Sequence, residues 1–165
     1  VQSKDEIGLY PLHHAASDNR VDNLNLLLDK KADIEAVDKK WKRTALIRAI
    51  ECGHLDIVRA LLKRKASLAA KTTTEFTAMT LAATLVKNAG IVNLLIRHGA
   101  SVNVQDINLA TPIHRAAFGG DVQVLAALLS KADKSIVNMK TDIGLTALHF
   151  ATQQKHLEAA KLLLK

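Results

Sequence analysis

Between Thr44 and Lys63 the chain reads TALIRAIECGHLDIVRALLK, and its apolar positions fall into two stripes. Ala45, Leu46, Ala49 and Ile50 stand at i, i+1, i+4 and i+5, the spacing of one helical face. Gly53-His54 breaks the pattern, and Gly is the usual residue where a helix closes in a left-handed turn. From Asp56 to Lys63 a second stripe follows, carried by Ile57, Val58, Leu61 and Leu62. The pattern predicts two short antiparallel helices. Such a pair is too small to bury both stripes alone, so a neighbour must supply the other wall.

The neighbours are in the same chain. The phrase returns as YPLHHAASDNRVDNLNLLL from Tyr10, TAMTLAATLVKNAGIVNLLI from Thr77, TPIHRAAFGGDVQVLAALL from Thr111 and TALHFATQQKHLEAAKLLL from Thr146. Start-to-start spacings are 34, 33, 34 and 35 residues. A fixed period of this length is the mark of stacked supersecondary units. The predicted repeats run approximately over 5–38, 39–71, 72–105, 106–140 and 141–165, as a single array over 1–165. Between one helix pair and the next lie polar stretches such as RKASLAAKTTTEF, which predict β-hairpin-like projections from the helical stack.

The pattern resembles the ankyrin repeat. The resemblance rests on Thr111-Pro112-Ile113-His114, Ala116-Ala117, Gly53-His54, the Leu pairs at 27–28, 61–62, 128–129 and 163–164, and Gly99-Ala100 with Val102-Asn103. It covers the chain from Asp5 to Lys165. What it implies is an all-α solenoid of stacked helix-turn-helix units with projecting β-hairpin fingers, binding other proteins through finger tips and concave inner helices. It also implies that the His of the first slot (His13, His114, His149) bonds to its own repeat's backbone. There are departures. Met79-Thr80 stand where the family has Leu-His, which bears on the third copy's local stability. Lys31 and Lys65 occupy positions where Gly adopts a left-handed conformation, at a cost of about 1 kcal/mol each. One extra residue precedes Thr44, another lies in the LVKNAG turn, and two lie between Leu129 and Thr146.

Composition agrees with thin helices packed closely: 48% of residues are apolar but only 3% aromatic. No apolar run reaches the roughly 20 residues of a membrane span, so no membrane partner is expected. The lone Cys52 allows no intramolecular disulfide, which fits a reducing compartment and a cytoplasmic default. Val1 in place of Met leaves an exported or periplasmic location open. The formal charge is +7 and it is concentrated: residues 30–71 hold twelve Lys/Arg against five Asp/Glu, while the rest balances. That favours an acidic patch on a protein partner for the first two repeats.

Candidate chemistry is sparse. Equivalent histidines stand one repeat apart, too far to converge on one metal at about 2 Å. Cys52 and His54 lack a third group to orient them as nucleophile and base. No phosphate-binding Gly-rich motif is present. The expectation is no enzyme, no metal, no cofactor and no small-molecule substrate.

Function is therefore sought in residues that do not repeat. The first finger tip, DKKWKR, holds the chain's only Trp: Lys39, Lys40, Trp41, Lys42 and Arg43 are candidate contacts. Trp and Arg often anchor interfaces, contributing about 2 kcal/mol or more each. The competing reading is that Trp41 packs on a neighbouring finger while the lysines keep the hairpin soluble. Other finger candidates are Ile107, Asn108 and Ile143, with Phe76 a weaker one. Variable inner-helix slots hold His14, Asp18, Arg48, Glu51, Leu81, Leu85, Arg115, Phe118, Phe150 and Gln153. Leu85 and Phe118, flanked by Arg48 and Arg115, would form an apolar patch with a polar rim, unless they pack laterally between repeats. The function expected is a protein–protein interaction module, inhibiting or protecting a partner enzyme by occlusion. The alternative is nucleic-acid or acidic-surface binding through the basic repeats, against which stands the scarcity of aromatics for base stacking.

Overall fold

The computed structural model describes residues 3–85 and 88–165. Helices α1 (Pro11–Ser17) and α2 (Val21–Asp29) form the first antiparallel pair, and α3 (Ala45–Glu51) and α4 (Leu55–Lys63) the second. Next come α5 (Ala78–Leu85) with α6 (Ala89–Arg97), and α7 (Pro112–Gly119) with α8 (Val122–Leu129). A single extra turn, α9 (Lys134–Val137), is built by the longer stretch between Leu129 and Thr146. The last pair is α10 (Ala147–Gln153) and α11 (Leu157–Leu163). Inner helices stack in the order α1, α3, α5, α7, α10, and outer helices in the order α2, α4, α6, α8, α11. The extra residue of the LVKNAG turn falls at Val86 and Lys87, outside the described residues.

Four inner helices start after a Thr and α1 starts after Tyr10. Thr44 Oγ1 accepts from the Ile47 amide, and Thr111 and Thr146 cap their helices with a His three residues on. Inner helices carry Ala on the faces they turn to one another: Ala16, Ala45, Ala49, Ala82, Ala116, Ala117, Ala147 and Ala151 are all buried. The outer helices close the core with Leu24, Leu61, Leu95 and Leu128. Small inner side chains let successive hairpins approach at close packing density.

The fingers are tight turns without a ladder, and no strand forms among the described residues. The expected hairpins are reduced to closing bonds, Asp38 N to Arg43 O (3.0 Å), Thr72 N to Phe76 O (3.0 Å), Asp106 N to Ala110 O (3.0 Å) and Thr141 N to Leu145 O (2.9 Å). Neighbouring fingers are tied by Thr73 N to Trp41 O (3.1 Å) and Asp142 N to Asn108 O (3.1 Å). Every tip holds one residue in the left-handed region, two places before the Thr or Tyr: Gly8, Lys42, Glu75, Leu109 and Gly144. Lys31 and Lys65 are left-handed too, at φ 60° and 63°, as expected from their position.

Candidate functional site

The repeated histidines come first, because they hold the scaffold. In α7 the Thr111 amide donates to His114 Nδ1 at 3.1 Å. With Nδ1 accepting, the ring proton sits on Nε2, which donates to the Met139 carbonyl, just ahead of the next finger, at 2.9 Å. His13 repeats the arrangement, with Tyr10 N on Nδ1 (3.1 Å) and Ala36 O on Nε2 (3.0 Å). The bond to the repeat's own backbone is the expected one, and the Nε2 bond ties the inner helix to the stretch that leads into the next finger. Burial pushes both imidazoles below the usual histidine range, only partly opposed by the backbone acceptors. Thr80, standing in this slot in the third copy, bonds only locally to Thr77. The turn histidines reach the other way: His54 Nε2 lies 2.9 Å from Ser17 O and His156 Nε2 3.1 Å from Phe118 O.

The first finger tip has a defined geometry. The Trp41 ring is flanked by Lys40 Nζ at 4.9 Å and Arg43 Cζ at 5.8 Å from its centroid. It is 42% exposed, so its tie to the neighbouring finger is through the main chain and half of the side chain faces solvent. Arg43 is different. Its Nε donates to Asp38 Oδ2 at 2.7 Å and its Nη1 to Glu51 Oε2 at 3.2 Å. Burial alone would raise the Asp38 carboxyl, but Arg43 and the Trp41 amide hold it below the usual carboxylate range. Burial pushes Glu51 up, against the pull of Arg43 and Arg48. Lys39, Lys40 and Lys42 are exposed and form no ion pair among the described residues.

On the inner helices the candidates divide. Leu85 and Phe118 are 56% and 50% exposed, and Phe118 meets the Phe150 ring edge-on at 6.0 Å and 80°. With Ala110, His114, Arg115 and Phe150, Phe118 lines a small apolar notch of about 90 Å³. Arg115 is anchored: its Nε and Nη2 both bond the buried Asp106 carboxylate, and its guanidinium lies over Phe76 at 5.0 Å. Arg48 is half-buried, and its Nε has no hydrogen-bond partner among the described residues. Leu81, expected among the concave slots, is buried at 4% exposure and belongs to the core. Ile107, Asn108 and Ile143 stand exposed at their tips. Two signals were missed at the sequence level: Asp38 and Asp106, which lock the arginines of the fingers and inner helices. Cys52 is exposed and free. No helix among the described residues is long and apolar enough to cross a membrane.

Comparison with known proteins agrees with this architecture. The sequence matches the family described as ankyrin repeats, in three copies over residues 1–72 and 79–165. It is 32% identical, over 98% of its length, to a Saccharomyces cerevisiae protein named "Probable 26S proteasome regulatory subunit p28", of which it spans 72%. It is 28% identical to the ankyrin repeat protein nuc-2 of Neurospora crassa and 36% identical to inversin of Mus musculus. Those matches cover 96% and 97% of this chain but only 18% of each relative.

Proposed function

The chain belongs to the ankyrin repeat family, a protein-interaction module, and we propose that it holds a protein partner against its finger tips and the concave side of its inner helices. The observation that carries this reading is Trp41, half exposed at a finger tip between two cations. An aromatic of that size costs solvation free energy unless a partner covers it, and Trp beside Arg is a frequent energetic anchor at interfaces. Phe118, standing beside its small apolar notch, supplies a second anchor of the same kind. Around Trp41 the exposed lysines 39, 40 and 42 call for carboxylates on the partner. The role is non-catalytic. A rigid face laid over an enzyme or effector acts by occlusion, blocking or protecting it. The name of the yeast relative, a regulatory subunit, is in keeping with such a holding role.

The test is affinity capture on the immobilised chain from a native extract, read by mass spectrometry. The comparison is wild type against Lys40→Glu/Trp41→Ala/Phe118→Ala. Arg43 is left intact, because it closes the finger on Asp38. A protein held by the wild type, lost in the variant and weakened by salt supports the surface and the acidic partner. Equal capture by both forms rejects these residues as the contact. Capture of nucleic acid alone rejects a protein partner.

A further inference from the structure

Part of the basic charge of the first two repeats lies away from the fingers. Lys30, Lys31, Arg59, Lys63, Arg64 and Lys65 stand on the outer helices α2 and α4 or just past their ends. The finger-tip surface makes no use of them. The repeat does not call for them either. The equivalents of Arg59 are Asn93 in α6 and Ala126 in α8, and the equivalent of Lys63 in α8 is Ser130. A cation at a helix C-terminus complements the dipole, which accounts for Lys63 in part. It does not account for Arg59, which stands in the middle of α4.

Between α2 and α4 runs a groove of about 550 Å³. Val21 and Ala60, both half-buried, give it an apolar lining. Arg59 and Lys63 line it from α4, both exposed, and neither forms an ion pair among the described residues. Asn25 lines it from α2, is half-buried, and its side-chain amide makes no hydrogen bond among the described residues. One end is closed across the two helices, where Arg64 Nη2 donates to Asp29 Oδ1 at 2.8 Å. Asp56 stands at the other end, in the first turn of α4. The trough therefore offers two cations without counter-ions and an amide that can both donate and accept.

We propose that this groove takes an extended acidic segment of a protein partner, with two carboxylate side chains separated by one residue. The spacing carries the match. Arg59 and Lys63 stand one helical turn apart, about 6 Å. Alternate side chains of an extended strand lie about 7 Å apart on one face. The residue between the two carboxylates turns toward α2, where Val21 meets an apolar side chain and the Asn25 amide meets the peptide main chain. A nucleic-acid strand fits less well. Asp56 and Asp29 repel a phosphate backbone at either end of the groove, and no aromatic side chain is among the lining residues for base stacking. The site lies on the outer helices, apart from the finger tips and the inner helices, so its test is independent of partner capture.

The test follows amide NMR shifts of the isotope-labelled 165-residue chain. The probes are a short synthetic peptide with a Glu-Leu-Glu core and Ser/Gly flanks, the same peptide with Gln-Leu-Gln, and single-stranded oligothymidylate. The Glu peptide is expected to shift amides of α2 and α4 around Asn25, Arg59 and Lys63, with an affinity that falls as salt rises. Arg59→Ala/Lys63→Ala is expected to weaken binding about threefold and Arg59→Glu/Lys63→Glu about tenfold, the scale of exposed ion pairs. Both positions are exposed, and far-UV circular dichroism checks that each variant is folded. Lys40→Glu/Trp41→Ala, at the finger, is expected to leave the affinity unchanged. An absence of shifts in α2 and α4 up to about 1 mM Glu peptide overturns the proposal. So do equal shifts from the Gln peptide, shifts confined to the finger tips, or an unchanged affinity in the folded Arg59→Ala/Lys63→Ala variant. Stronger shifts of the groove by the oligonucleotide than by the Glu peptide overturn it as well.

Discussion

His114 Nε2 and the Met139 carbonyl lie 2.9 Å apart, and this bond joins α7 to the stretch that leads into the next finger. Its counterpart His149 has the same local bond to Thr146, and its Nε2 meets no acceptor among the described residues. The pair offers an internal comparison. His114→Ala removes the ring's bonds to Thr111 and Met139, leaves the Met139 carbonyl without its donor and opens a hole in a buried site. His149→Ala removes an exposed side chain and only its local bonds to Thr146. Chemical denaturation is expected to show His114→Ala costing about 1–3 kcal/mol more than His149→Ala. Equal costs would mean that the bond to Met139 contributes nothing.

The same geometry sets a pH dependence. Nδ1 of His13 and His114 must accept an amide hydrogen, so a second proton on the ring breaks the cap. Both folded-state values lie below the ordinary 6.5. The unfolded chain therefore binds protons that the folded one refuses, and stability falls with acidification. The contribution is fully present above about pH 6.5 and is lost as pH drops toward the folded values. Each histidine adds a slope of up to about 1.4 kcal/mol per pH unit in that window. Urea midpoints are expected to be flat from pH 8 to about 7 and to fall below about 6.5. A midpoint that rises on acidification in that window contradicts the assignment.

Two arginines that read as contact residues are structural in the first place. Arg43 and Arg115 neutralise Asp38 and Asp106, whose side chains are 1% and 0% exposed. Removing either cation strands a buried carboxylate. Arg115→Ala is expected to destabilise by at least about 2 kcal/mol, since breaking one side of a buried pair leaves an uncompensated charge. Lys39→Ala and Lys42→Ala, on exposed side chains without ion pairs, are expected to change stability by less than about 0.5 kcal/mol. Thermal melts of the three variants separate the roles, and a destabilised Lys39→Ala would return the finger lysines to the scaffold.

Much of the scaffold was legible because it is periodic. The helix pairs follow from slots that recur at a fixed spacing, while the histidine bonds to their own repeat and the left-handed Lys31 and Lys65 follow from the ankyrin resemblance. The site was less legible because its contacts run between slots. Arg115 reaches back nine residues to Asp106 and sideways to Phe76, and nothing in a one-dimensional pattern fixes that reach. Leu81 shares a slot with Arg48 and Arg115, but an apolar side chain there folds into the core where the arginines do not. The left-handed Lys42, Glu75 and Leu109 carried no composition signal of their own. Gly8 and Gly144, at the same place in the first and last fingers, were the available clue.

Left-handed positions give the last test, because space and backbone strain can be separated there. Gly99 and Gly120 have φ of 86° and 73°. A Cβ at Gly99 would meet nothing within 4 Å, whereas one at Gly120 would lie 2.5 Å from the His156 ring. Gly99→Ala therefore carries only the left-handed cost, about 1 kcal/mol. Gly120→Ala carries that cost and also pushes His156 off the Phe118 carbonyl, so it is expected to lose about 1 kcal/mol more. Lys65→Gly runs the other way, relieving φ 63° on an exposed residue, and is expected to stabilise by up to about 1 kcal/mol. Denaturant midpoints of the three variants check the order. If Gly99→Ala cost as much as Gly120→Ala, the close packing of His156 on its neighbour would not be limiting, and the turn alone would dictate glycine at both sites.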